Sequence, residues 1–387
     1  MTNIFFKKDK NMTRTLLLAG VAGLSFISSF GASQVQAQDV SIGANQDGVC
    51  SFCEGHAHHK AGASAVPVSI MSDHLHPKGE WMVSYRFMRM EMEGNRIGTD
   101  AVSPEEIVTS VANPFGVPPT LRVVPTEMTM DMHMFGAMYG VTDWLNLMGM
   151  AMYKDNEMDH ITFQGMAGTT RLGEFTTESK GWGDLRLTGL VKAYEDETHA
   201  VNLGLGLSVP TGSIKEEDTV LTPMNTTPRL RLPYMMQLGT GTYDFHPAVT
   251  YTGHKDGFSW GAQYKGEIRL EDENAQGYAW GDKHSLSAWG GYGWTKNVST
   301  SLRLSASTQE AIDGSDAVIT APVQTADPDN YGGDIVEAGF GLNLRGSEGW
   351  SRGHELGFEV SLPLYQDLNG PQMERDYAFT VGWSKAF

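Results

Sequence analysis

The sequence predicts an all-β protein: a transmembrane, antiparallel, up-and-down β-barrel of about twelve strands, between ten and fourteen, with a flexible N-terminal segment. Three observations predict it. Segments of alternating apolar and polar residues recur from residue 80 onward, and short connections alternate with long ones. No apolar run approaches the roughly 18 residues of a membrane-spanning helix. Composition agrees, since 387 residues include 45 glycines, 9 tryptophans and 21 methionines, and carry a formal charge of −18. That acidic balance excludes a nucleic-acid partner, which needs a basic patch.

Residues 1–37 read as a secretory signal. Lys7, Lys8, Lys10 and Arg14 form the basic region, Leu16 to Phe26 the apolar region, and Val35-Gln36-Ala37 a small-residue cleavage site. The expected location is the bacterial outer membrane, with lipid and the barrel assembly machinery as partners. Residues 38–79 show neither strand nor helix period and form a Cys/His-rich segment, either a periplasmic extension or a luminal plug. Residues 80–387 form the barrel.

The strands are expected near 80–92, 127–139, 144–154, 182–194, 199–209, 243–253, 258–270, 284–294, 298–308, 333–345, 354–364 and 376–387. In the first, Trp81, Val83, Tyr85 and Phe87 alternate with Met82, Ser84, Arg86 and Met88. In the fifth, Val201, Leu203, Leu205, Leu207 and Val209 alternate with Asn202, Gly204, Gly206 and Ser208. One face suits lipid and the other a wet lumen. Long loops are expected near 93–126, 155–181, 210–242, 271–283, 309–332 and 365–375, on the extracellular side. Tyr377, Phe379, Val381, Trp383 and Phe387 alternate like the C-terminal strand by which outer-membrane barrels are recognised for insertion.

Methionine is the chemical anomaly. Met88, Met90 and Met92 end the first strand, Met128, Met130, Met132 and Met134 begin the second, and Met148, Met150 and Met152 lie in the third. Each set shares the phase opposite the lipid-facing aromatics, so neighbouring strands build one luminal thioether patch. Thioethers are soft ligands suited to Cu(I), and they also make an adaptable apolar surface for organic ligands or simple filler. A second set is Cys50, Cys53, His56, His58 and His59, followed by His74 and His76. Thiolate and imidazole suit Zn, Cu or Ni, with Cu(I)/Cu(II) or another soft metal ion favoured by the methionines, and the alternative is a small Cys50–Cys53 disulfide with solvated imidazoles. No cofactor is required on either reading.

Asp131 and His133 sit on the outer-facing phase of the second strand, where a barrel hydrolase could place its chemistry, but no serine can be assigned beside them. The inward charges Arg86, Asp184, Arg186, Lys192, Lys265, Glu267, Arg269, Glu355 and Glu359 are of both signs and read as a salt-bridged interior.

Several stretches resemble a family of bacterial outer-membrane transporters named after the meta-pathway of phenol degradation. They are His74-Leu75-His76-Pro77-Lys78-Gly79-Glu80-Trp81, Gly94-Asn95-Arg96, Gly181-Trp182-Gly183-Asp184, Ser208-Val209-Pro210-Thr211-Gly212 and Gln237-Leu238-Gly239-Thr240-Gly241-Thr242-Tyr243-Asp244. The resemblance implies an outer-membrane barrel with a transport role. The resulting expectation is a non-enzymatic channel for a small solute, linked to copper or another soft metal through its Met-lined lumen. The alternatives are uptake of small hydrophobic or aromatic compounds, or an outer-membrane hydrolase.

Overall fold

The computed structural model describes residues 65–387. The expected signal at 1–37 and the segment up to residue 64 lie outside the described residues. The chain runs through β1 (Trp81–Gly98), β2 (Asp100–Val102), a short helix α1 (Pro104–Ser110), β3 (Val123–Thr142) and β4 (Leu145–Phe163). Then come β5 (Arg171–Trp182), β6 (Leu185–Glu195), β7 (His199–Val209), β8 (Glu217–Thr219) and β9 (Arg229–Arg231). These lead into β10 (Asp244–Lys255), β11 (Phe258–Arg269), β12 (Tyr278–Ala279), β13 (Lys283–Gly293) and β14 (Val298–Gln309). The last three strands are β15 (Asp313–Gly314), β16 (Gly333–Arg345) and β17 (His354–Ala386).

Eleven strands close an antiparallel ring in the order β17-β16-β14-β13-β11-β10-β7-β6-β4-β3-β1, with β17 pairing back to β1. An odd number of strands cannot alternate in direction around a ring unless one of them reverses. β17 does so. Residues 355–368 run against β16, and residues 371–386 run against β1. The reversal falls at Asn369-Gly370, where Gly370 takes a positive φ of 62°. The wall therefore has twelve passes, as the alternation predicted.

Outside the ring path, β5 pairs with the upper part of β4, from Tyr153↔Trp182 to Phe163↔Arg171, while β6 pairs with its lower part, from Leu145↔Val191 to Met150↔Arg186. Gly183-Asp184 is the break between them. The expected loop 155–181 is thus largely a strand hairpin, and the expected loop 365–375 is a tight reversal within β17. Both are corrections to the sequence pattern. Their cause is height: β4 has 19 residues, about 60 Å of chain at roughly 3.3 Å per residue. Only 9–11 residues, roughly, are needed to cross the hydrocarbon. Above the membrane both faces are wet or covered by loops, so the apolar alternation that reveals a strand stops while the hydrogen-bonded ladder continues.

The outer phase is apolar where lipid is expected. Leu203, Leu205 and Leu207 on β7, Leu302 and Leu304 on β14, and Val360, Leu362 and Leu364 on β17 are all exposed. So are Trp81, Trp144, Trp294 and Trp350 at the short-turn end, as in the aromatic girdles of outer-membrane barrels. A soluble protein rarely exposes a continuous apolar patch beyond a few hundred Å². The closed ring and its apolar belt make this a protein of the bacterial outer membrane. Among the described residues no helix is long and apolar enough to cross a membrane.

Candidate functional site: the barrel lumen

Chain that is not part of the wall lies at both ends of the lumen. At the extracellular mouth, long loops fold inward over a core of Val123, Tyr234, Tyr278, Ile312, Val323 and Tyr331. Tyr234 meets Tyr278 and Tyr331 edge-on, with ring centroids 4.7 and 5.7 Å away. The Tyr331 hydroxyl donates to the Thr325 carbonyl at 2.6 Å. Burial raises the Tyr331 hydroxyl well above its ordinary pKa and so keeps it neutral. Arg122 pins the cap to the wall by donating to the carbonyls of Gln164, Gly165 and Gly168 at 2.8–3.2 Å.

A staple fixes the loop between β7 and β10. The Asp184 carboxylate accepts from the backbone N–H groups of Gly212 and Thr240, each at 2.8 Å. Gly212 and Gly239 lie so close that a Cβ on Gly239 would stand 2.6 Å from the Gly212 carbonyl oxygen. This close approach accounts for the glycine-rich signature around 208–212 and 237–244.

At the short-turn end, residues 65–79 lie against inward-phase side chains of the wall, and this stretch is termed the plug. Its polar backbone is held by wall side chains. The Glu359 carboxylate accepts from the Ser69 N–H at 3.0 Å, Asn343 donates to the Val66 carbonyl at 2.6 Å, and Asn202 donates to the Asp73 carbonyl at 2.8 Å. Gln263 donates to the Met71 carbonyl. A cavity of about 120 Å³ remains beside the plug, lined by Ile70, Met71, Asp73, Met82, Met138 and Met148 among others.

All ten methionines of the expected patch lie in the inward phase. Register places Met88, Met90 and Met92 opposite Met132, Met130 and Met128, and Met134 opposite Met152. Met150 stands opposite Gly136, and Met148 opposite Met138. The upper end is packed rather than open: Met92, Met128 and Met158 are buried against Leu232, Met236 and Met373, with Met90 and Met130 alongside. The wall thus descends from the cap to the cavity, and Met82, Met138 and Met158 extend it beyond the residues singled out by sequence. The signal for them was present, since all three share the alternating phase.

Cys50, Cys53, His56, His58 and His59 lie outside the described residues. His74 and His76 approach edge-on at 5.1 Å between centroids, but each turns to a different partner. His74 Nδ1 is 2.9 Å from the Asp73 carboxylate, which raises the imidazole to about 9 against the opposing effect of burial. Burial disfavours the Asp73 charge, yet His74 outweighs it and holds the carboxyl below its ordinary range. His76 is buried, with Nε2 3.3 Å from the Met82 sulfur. Among the described residues no three His, Cys, Asp or Glu side chains converge to hold a metal ion.

Asp131 and His133 lie in the outward phase, and each is engaged by a side chain of β1. Arg89 donates two hydrogen bonds to the Asp131 carboxylate, at 2.6 and 2.7 Å, and His133 shares one of 2.8 Å with the Tyr85 hydroxyl. Several luminal charges form ion pairs: Arg269–Asp244 at 2.7 Å, Arg303–Glu359 at 2.7 Å, Arg345–Glu355 at 2.9 Å and Arg375–Glu337 at 3.1 Å.

The fold is similar to that of known outer-membrane channels. The crystal structure of an outer membrane channel from Pseudomonas putida F1 superposes with a TM-score of 0.52 at 14% identity, over 81% of this chain and 98% of that one. That likeness is one of fold. Weaker matches include the toluene transporter TodX of P. putida, with a TM-score of 0.40 and 10% identity over 81% and 91% of the two chains. A FadL homologue of Pseudomonas aeruginosa gives 0.38 and 9% over 79% and 89%. No family model and no curated protein matches the chain.

Proposed function

We propose that the protein is an outer-membrane channel for a small solute with an apolar or aromatic body, which moves along the methionine wall. The observation that carries this reading is the continuity of that wall from the Met236–Leu232 contact under the cap to the Met138–Met148 cavity beside the plug. Thioethers are apolar, polarizable and flexible, so they accept varied apolar shapes without a fixed pocket. Register also sets cations in the wall: Met134 is opposite Arg86, Met132 opposite Lys154 and Met150 opposite Arg186. A cation 5 Å from a travelling Cu(I) would repel it by about 3 kcal/mol at an effective dielectric of 20. Transit of a bare metal cation is therefore disfavoured along this route. The test is uptake of radiolabelled toluene by cells carrying the wild type or a Met132→Asp/Met150→Asp variant. Uptake at least tenfold lower with the variant supports the reading; equal uptake overturns it.

A second reading concerns a bound metal rather than a travelling one. His76 touches the Met82 sulfur, and Met138 and Met148 lie in cross-strand register with Met82. An imidazole with thioethers suits Cu(I) or Ag(I). Calorimetric titration with Ag(I), comparing wild type with His76→Phe, tests it; identical binding would remove this site.

A further inference from the structure

The luminal wall opposite the methionines is basic, and its ion pairs leave the positive side in excess. β3, at the centre of the thioether wall, and β13 stand six passes apart in the twelve-pass ring, on opposite sides of the lumen. On that far side Lys265, Glu267 and Arg269 alternate inward along β11, and Lys283 of β13 pairs in register with Glu267. Arg186 of β6, the cross-strand partner of Met150, flanks the methionine wall and connects it to this belt through Ser208 of β7 and Asp244 of β10, the register partner of Arg269.

The carboxylates of this belt are already engaged. Asp244 takes the Arg269 guanidinium at 2.7 Å and the Thr242 hydroxyl at 2.7 Å, and Asp184 is held by the two backbone N–H groups of its staple. Glu267 is the loosest, 3.9 Å from Arg269. Among the described residues Lys265, Lys283 and Arg186 have no carboxylate oxygen within 4 Å. All three lie within electrostatic reach of Glu267; Glu337, near Lys283, is taken by Arg375, and Asp244 and Asp184, near Arg186, are engaged as above, so the recess keeps an excess of positive charge facing the lumen. Lys265 is exposed there, so its ammonium is available to a ligand.

We propose that the solute is an amphipathic organic anion, its apolar or aromatic body lying on the methionine wall and its carboxylate on Lys265 and Lys283 of the facing wall. The inference rests on the solute reading above and adds the headgroup chemistry. A carboxylate meeting unpaired cations gains charge-assisted hydrogen bonds without first breaking an internal ion pair. A neutral analogue gains only the apolar contact, and an ammonium is repelled.

Three probes with one body separate these cases: 4-phenylbutyrate, 4-phenylbutanol and 4-phenylbutylammonium, titrated calorimetrically at pH 7 into the full-length protein in detergent. The carboxylate is expected to bind at least tenfold more tightly than the alcohol, with the ammonium weakest. In Lys265→Gln/Lys283→Gln the preference should fall below twofold, and Lys265→Arg/Lys283→Arg should restore it. Heat-modifiable gel mobility verifies that each variant is a closed barrel. Alcohol binding as tightly as carboxylate, or an undiminished preference in the Gln variant, overturns the anion inference alone. Absence of binding by all three probes would remove the solute reading and this inference with it.

Discussion

Removing two of the wall side chains that hold the plug should open the lumen by a calculable amount. Asn202 donates to the Asp73 carbonyl at 2.8 Å, and Gln263 donates to the Met71 carbonyl. Both carbonyls border a wet lumen, so water can replace the lost donors and each substitution costs only the net worth of a neutral hydrogen bond, about 1 kcal/mol. Asn202→Ala and Gln263→Ala together thus weaken plug seating by about 2 kcal/mol, and each 1.4 kcal/mol is tenfold in an equilibrium constant. The ratio of open to plugged barrel should rise roughly 30-fold. Single-channel recording in planar bilayers reads this ratio as the fraction of time at the higher conductance. Both side chains belong to the wall, so the variant must first be verified as a closed barrel by its heat-modifiable mobility. An unchanged open fraction in a closed barrel would refute the reasoning that these two bonds seat the plug.

Other expectations follow from the same structure. His74 is raised to about 9 by Asp73, so its attraction is complete below the ordinary imidazole range and is lost as pH climbs through 9. Asp73 is held below its ordinary range, so its share is lost only in acid. Arg86, Arg345 and Glu355 also bear on the pair. The His74 ring protons should therefore titrate at about pH 9 by NMR, and an Asp73→Asn variant should return that titration towards the ordinary imidazole range. Asp184→Ala frees two backbone N–H groups and should cost about 2–4 kcal/mol locally. Trypsin should then cut within 210–242, around Lys215, well before the wild type is cleaved. Met128 is fully buried beneath the cap, so Met128→Ala should destabilise by about 2–5 kcal/mol, read as a lower temperature for loss of the heat-modifiable form.

The strands were legible wherever lipid lies on one side and water on the other. β7 and β16 have the limits that alternation predicts, His199–Val209 and Gly333–Arg345, because each is confined to that half-buried zone. β5 was hidden because Arg171–Trp182 stands above the membrane, where Glu174, Thr176 and Glu178 carry no lipid-facing signal. Met88–Met92 and Met128–Met134 could be assigned inward from the aromatics between them, since period two forces the two sets apart. The cap could not be foreseen: Tyr234, Tyr278 and Tyr331 come from three loops with no common period, and only the closed ring brings them together. The mixed charges of the lumen were countable in sequence, but which carboxylates are already engaged depends on cross-strand register.

The seam between β1 and β17 has a consequence for assembly. Met82 pairs with Ala386, and the register continues through fifteen residues of β1 to Gly98. Joining strands almost 300 residues apart, rather than 10, adds about 3 kcal/mol of loop entropy by the logarithmic law. A ladder of that length offsets such a sum easily, so the seam scarcely burdens the finished barrel. It burdens the route instead: until the seam closes, both strands present unpaired edges, the contact order is near its maximum, and closure is slow. Substitutions along this seam should therefore slow the rate at which barrels appear in the membrane far more than they hasten the loss of barrels already formed.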